Sequence, residues 1–183
     1  MNAAPPETWR LFFALDPSPG LRRRIVSHAA NWRWDAGVRT VAVHKLHLTL
    51  LFLPQVDPTS LPALLRLGAA VASANPGCLL RLDRAAVWPG GLAHLAPSQV
   101  PTRLLTLHDR LLEGARSAGV ACDGRSWHPH LTLARRADAA QPPGQFEALP
   151  WQVRGLSLQR SLTGSGRYEC LGKWLLHGSL GSP

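Results

Sequence analysis

Short stretches of the chain alternate apolar and polar residues, and three longer ones repeat apolar residues at helical spacing. Residues 9–15 alternate, which predicts a strand with Leu11, Phe13 and Leu15 on one face and Arg10, Phe12 and Ala14 on the other. Asp16-Pro17-Ser18-Pro19 ends it, with Ser18 suited to cap a helix and Pro19 to open one. Leu21, Ile25, Ala29 and Trp32 carry that helix to about Trp32. Residues 38–43 and 46–53 read as strands, the second stopped by Pro54. Asp57-Pro58 opens a second helix with Leu61, Leu64, Leu65 and Val71 inward. Residues 78–88 and 92–95 read as a hairpin about Pro89-Gly90-Gly91. Residues 100–118 form the third helix, stopped at Gly119. A turn at Asp123-Gly124 leads into a strand near Leu131, and 136–150 is a loop rich in Pro and Gly. Residues 151–162 and 168–177 close the chain as two strands joined at Gly164-Ser165-Gly166. The expectation is an α+β protein of two similar halves, each a helix-backed antiparallel sheet, forming one domain over 1–183.

Two of these strands carry the same four residues. His47-Leu48-Thr49-Leu50 and His130-Leu131-Thr132-Leu133 sit one in each half of the chain. Because alternate residues of a strand share a face, each copy points a histidine and a threonine one way and two leucines the other. A strand of this kind lines a cleft with an imidazole and a hydroxyl while its leucines fill a core. A single copy reads as an ordinary half-buried strand; the repetition makes it a candidate site.

Composition narrows the partner. The chain carries 20 Lys and Arg against 11 Asp and Glu, for a formal charge of +9. Only Lys45 and Lys173 are lysines, and Arg forks suit phosphate. An anionic partner such as RNA fits this balance. So does a genome-wide base-composition bias, which favours Arg together with the abundant Ala, Gly and Pro. No apolar run is long enough to cross a membrane, and the start lacks a basic-then-apolar leader. Cys78, Cys122 and Cys170 are odd in number and far apart, as free thiols of a cytoplasmic protein would be. The sequence has no phosphate-binding glycine loop and no Gly-x-Ser-x-Gly elbow, which excludes the usual ATPases and serine hydrolases. His44, His47, His128 and His130 suggest zinc at first sight. His44 and His47 fall on opposite strand faces, however, and neither motif holds a carboxylate. No metal and no cofactor are expected.

The paired motifs resemble the His-x-Thr-x signature of the 2H phosphoesterases. Pro129-His130-Leu131-Thr132-Leu133-Ala134-Arg135 is similar to the branch that contains the RNA 2′,3′-cyclic phosphodiesterases, also known as 2′-5′ RNA ligases. The resemblance extends over nearly the whole chain. It implies a bilobal fold with pseudo-two-fold symmetry about a central cleft, and metal-independent hydrolysis of RNA 2′,3′-cyclic phosphates to 2′-phosphates. Weak, reversible 2′-5′ joining of RNA is implied as well. His47 is implied as the acid that protonates the leaving 3′ oxygen, and His130 as the base that activates water. Thr49 and Thr132 are then phosphate donors, and Arg135 a phosphate ligand. Strand parity argues against Arg135, whose offset from His130 is odd unless the strand twists, bulges or ends there; Arg136 is the alternative. Phe12 is the candidate for stacking on a base, with ordinary core as its other reading. Arg167 or Tyr168 reaches substrate if the closing turn folds over the cleft. The competing functions are an RNA-end or nucleotide-binding module without turnover, and a related enzyme for another cyclic phosphate, such as ADP-ribose 1″,2″-cyclic phosphate. A monomer is expected.

Overall fold

The structure is a computed structural model, and it describes residues 7–162 and 166–178. The described residues form thirteen elements in the order β1 (Trp9–Leu15), α1 (Pro19–Ala29), β2 (Arg39–Thr40), β3 (Leu48–Val56), α2 (Leu61–Ala74), β4 (Cys78–Leu82), β5 (Arg84–Trp88), β6 (Leu92–Ala96), α3 (Thr102–Ser117), β7 (Leu131–Arg135), β8 (Leu149–Val153), β9 (Gly155–Leu162) and β10 (Arg167–Leu175). The α+β class stands. The main sheet runs β10-β9-β1-β3-β7-β6-β5, with β2 on the edge of β7; β4 and β8 form a separate pair. The two motif strands meet at the centre. β3 and β7 pair through Leu48 and Leu131, so the sheets of the two halves join between the two repeats.

The leucines of the motifs behave as their parity requires. Leu48, Leu50 and Leu131 are fully buried and Leu133 nearly so. Burying each is worth roughly 1.5–3 kcal/mol. α3 packs against β3, and α2 against β9 and β10, so both helices cover the apolar side of the sheet. Gly68 of α2 lies directly under the Trp174 ring of β10, where a Cβ would come within 2.5 Å of the ring.

Several sequence expectations are corrected. Residues 78–88 are two strands in different sheets, because β4 pairs with β8 while β5 turns back on β6. Residues 151–162 divide likewise into β8 and β9. The strand expected over 38–43 shrinks to β2, followed by a 3-10 turn over Val43–Lys45. α1 stops at Ala29 rather than near Trp32, whose indole donates to His28 Nε2 (3.1 Å). Asp57 caps a 3-10 turn ahead of α2 instead of α2 itself. Ser18 caps α1 as expected, accepting from the Leu21 amide. The Pro89-Gly90-Gly91 turn also forms, with both glycines at positive φ (87° and 71°). Gly164 and Ser165 of the closing turn lie outside the described residues, as does the chain start. No described helix is long and apolar enough to cross a membrane.

Candidate active site

Each motif histidine stands one residue ahead of its strand, and its ring is tied to the backbone behind it. His47 Nδ1 donates to the Lys45 carbonyl and His130 Nδ1 to the His128 carbonyl, both at 2.7 Å. A carbonyl only accepts, so Nδ1 carries a proton in both rings. The free nitrogen is Nε2, which holds a lone pair when the ring is neutral and a proton when it is charged. The local sequence brings this about: in each case the acceptor lies two residues upstream, just ahead of the strand.

Both rings line one open cleft, together with Thr49, Thr132 and Arg135. Arg136 does not line it, and the parity objection to Arg135 is answered by a β-bulge. His94 of β6 faces Thr132 of β7, but Ala93 faces Ala134, so Leu133 is an extra residue in its strand. A bulge shifts every later side chain by one face. Arg135 thereby returns to the cleft side, and Arg136 falls after the strand in a left-handed conformation (φ 55°).

The same device recurs in the first motif. Ala14 faces Thr49 while Phe13 faces Leu51, which leaves Leu50 as the extra residue. Phe52 is thus the counterpart of Arg135, five residues after its histidine, and it too lines the cleft. Neither bulge leaves its carbonyl unpaired. The Val41 amide donates to the Leu133 carbonyl (2.7 Å), and His108 Nδ1 donates to that of Leu50 (2.8 Å). The Trp127 indole adds a bond to the Thr49 carbonyl (3.0 Å) while lying flat on the His108 ring.

Each histidine has its own aromatic support. Phe12 stacks on His47 with centroids 4.9 Å apart, and Tyr168 meets both rings edge-on. Phe12 is 4% exposed and has the His47 ring against it, so it presents little surface to a base. Phe12 lies in mid-sheet on β1, lines the cleft and is packed against the His47 ring. Tyr168, at 41%, is the exposed aromatic. On the other side Trp88 packs at 4.5 Å from His130 and at 4.1 Å from His94, which is itself buried.

Charges around the two rings differ. Both histidines titrate below the usual value, chiefly because burial disfavours the charged form. At His47 the bond to the Lys45 carbonyl and the charge of Asp16 work against this shift, and the charges of His130 and Arg22 add to it. At His130 only the bond to the His128 carbonyl opposes burial, and the charges of Arg135, His128 and Arg125 all push the same way as burial. His44 and His128 are exposed, and among the described residues no three His, Cys, Asp or Glu side chains group as metal ligands.

Sequence reasoning missed Arg10, Val41, Lys45 and Phe52 in the cleft wall, and Trp88 and His94 behind His130. The repeat held the signal for Phe52, which sits where Arg135 does. Arg10 lies over the Phe52 ring at 5.3 Å. Nothing local marked Trp88 and His94, which reach His130 only by the pairing of β6 with β7.

Residues 17–164 match the family model of the 2′-5′ RNA ligase superfamily. The chain is 34% identical to the RNA 2′,3′-cyclic phosphodiesterase of Escherichia coli (strain K12), over 93% of this chain and 98% of that protein. It is 32% identical to the enzyme of the same name from Thermus thermophilus, over 94% of this chain and 92% of that protein. Among solved structures, E. coli LigT complexed with 3′-AMP superimposes with a TM-score of 0.82 at 33% identity, covering 93% of this chain and 99% of that one. Those matches, spanning both histidine motifs and the cleft between them, make the chain a member of the 2′-5′ RNA ligase superfamily.

Proposed function

We propose that this protein is an RNA 2′,3′-cyclic phosphodiesterase that opens the ring to a 2′-phosphomonoester by two-histidine acid–base chemistry without a metal. The observation that carries this reading is the meeting of two backbone-anchored imidazoles, two threonine hydroxyls and Arg135 in one cleft. The relatives named as RNA 2′,3′-cyclic phosphodiesterases support it.

In this mechanism neutral His130 takes a proton from water at Nε2 as the water oxygen bonds to phosphorus. The bond from phosphorus to O3′ breaks, and His47 gives its Nε2 proton to that oxygen. The phosphate stays on O2′. Thr49 and Thr132 donate to the non-bridging oxygens, and Arg135 balances the charge that builds on them. Burial lowers both rings; around His130 the charges of Arg135, His128 and Arg125 add to that and favour its neutral, basic form, while at His47 the Asp16 charge partly offsets burial. The anionic substrate raises the proton affinity of both rings on binding, which loads the acid. An RNA 5′-hydroxyl in place of water gives a 2′-5′ linkage by the same transfers. Phe12 holds the His47 ring, and Tyr168 is the ring available to a base.

The test is incubation with a 2′,3′-cyclic nucleotide and with an oligoribonucleotide ending in a 2′,3′-cyclic phosphate, in excess EDTA. Release of the 2′-phosphate product is expected from both. Loss of turnover in EDTA that zinc or manganese restores would overturn the metal-free mechanism. Binding without turnover under all conditions would make the protein an RNA-end binding module. Turnover of ADP-ribose 1″,2″-cyclic phosphate in preference to both would reassign the substrate.

A further inference from the structure

The edge strand β2 sets a second arginine beside Arg135. Arg39 and Arg135 are direct cross-strand partners. Opposite partners share a sheet face, with Cβ atoms about 4.5–5.5 Å apart, and like charges placed so destabilise the pair. Arg135 lines the cleft, and so does Val41, two residues after Arg39. Arg39 is therefore placed at the cleft mouth on the Arg135 side. Both arginines are exposed, and neither has a side-chain hydrogen bond or an ion pair among the described residues. Arg125 and Arg160, by contrast, are matched by Asp123, Glu7 and Glu169.

We propose that Arg39 is the ligand of a second phosphate, the backbone phosphodiester on the 5′ side of the terminal nucleotide of an RNA whose cyclic end lies against Arg135. This rests on the cyclic-phosphate reading of the cleft. An anion that spans the two guanidiniums relieves their repulsion. A chain of phosphates supplies one to each, and a cyclic mononucleotide supplies only the first. Arg39 then makes the cleft prefer RNA ends over mononucleotides. The opposite end of the cleft differs in kind, since Arg10 there lies over the Phe52 ring.

The experiment compares kcat/KM for a short oligoribonucleotide 2′,3′-cyclic phosphate with that for the corresponding mononucleotide, across a salt series. In Arg39→Gln the preference for the oligonucleotide is expected to fall about tenfold, and its log–log salt slope to shallow by about 0.7–1. Arg39→Lys keeps the charge and retains most of that slope. Arg66→Gln, on the exposed side of α2, removes a charge away from the cleft and leaves the preference as in wild type. An unchanged preference in Arg39→Gln, or an equal fall in Arg66→Gln, overturns the inference. If wild type turns over neither substrate, the cyclic-phosphate reading fails on its own. Fluorescence anisotropy with the same oligonucleotide then decides on Arg39, because equal affinity of wild type and Arg39→Gln overturns the second phosphate site.

Discussion

Leu50 and Leu133, the last residues of the two repeats, are each the extra residue of a β-bulge beside the cleft. Each bulge turns the residue two positions later toward the cleft, which is Phe52 in one half and Arg135 in the other. The pseudo-symmetry of the site thus extends to its irregularities, while the side chains those irregularities deliver differ. One half gains an aromatic plate, the other a cation.

Replacing either His47 or His130 with Ala is expected to lower kcat about 10²–10⁴-fold while the fold persists, because the proposed mechanism gives each one proton transfer. Circular dichroism melts alongside the kinetics check both parts. A substrate whose leaving group needs no protonation separates the roles. With it, His47→Ala recovers much of its rate and His130→Ala stays inactive. The reverse pattern would exchange acid and base.

The pH profile of kcat/KM is expected to be a bell centred below pH ~6.5, the ordinary histidine value. The sign follows from the roles. Activity is lost as pH falls through the titration of the base and as it rises through that of the acid, and burial lowers both in the free enzyme. The two limbs belong to the coupled pair. Arg135→Gln removes a charge that lowers His130, so the acidic limb moves to higher pH. Asp16→Asn removes a charge that raises His47, so the alkaline limb moves to lower pH. Limbs that stay in place in both variants would show that these charges do not tune the site.

Phe12→Leu keeps an apolar side chain in mid-sheet but removes the ring under His47. The expected result is a fall in kcat with KM little changed, since the imidazole loses its bed. A rise in KM with kcat preserved would restore Phe12 as a base platform.

Trp127→Phe retains a ring for His108 to stack on but loses the bond to the Thr49 carbonyl. The cost in stability is expected to be about 0.5–1.5 kcal/mol, read from urea unfolding. Activity falls too, because that bond steadies the strand that carries Thr49. Unchanged stability and turnover would mean that the contact is idle.

The repeat, the strand parity of its histidines and threonines, and the leucine faces were legible in the sequence because they depend on local periodicity alone. A period of two decides which residues share a face before any partner is known. So were the Ser18 cap and the Pro89-Gly90-Gly91 turn, whose residue types act on their own neighbours. Arg135 was uncertain for the same reason: periodicity places it on the wrong face, and only the register between β6 and β7 creates the bulge that corrects it. The division of residues 78–88 between two sheets depends on β8, far along the chain. His94 and Trp88 behind His130, and Arg39 beside Arg135, are likewise products of strand pairing. Phe12 shows the limit most plainly. Its alternation puts it on the cleft side, but only the tertiary packing sets the His47 ring against it, which leaves little of its surface for a base.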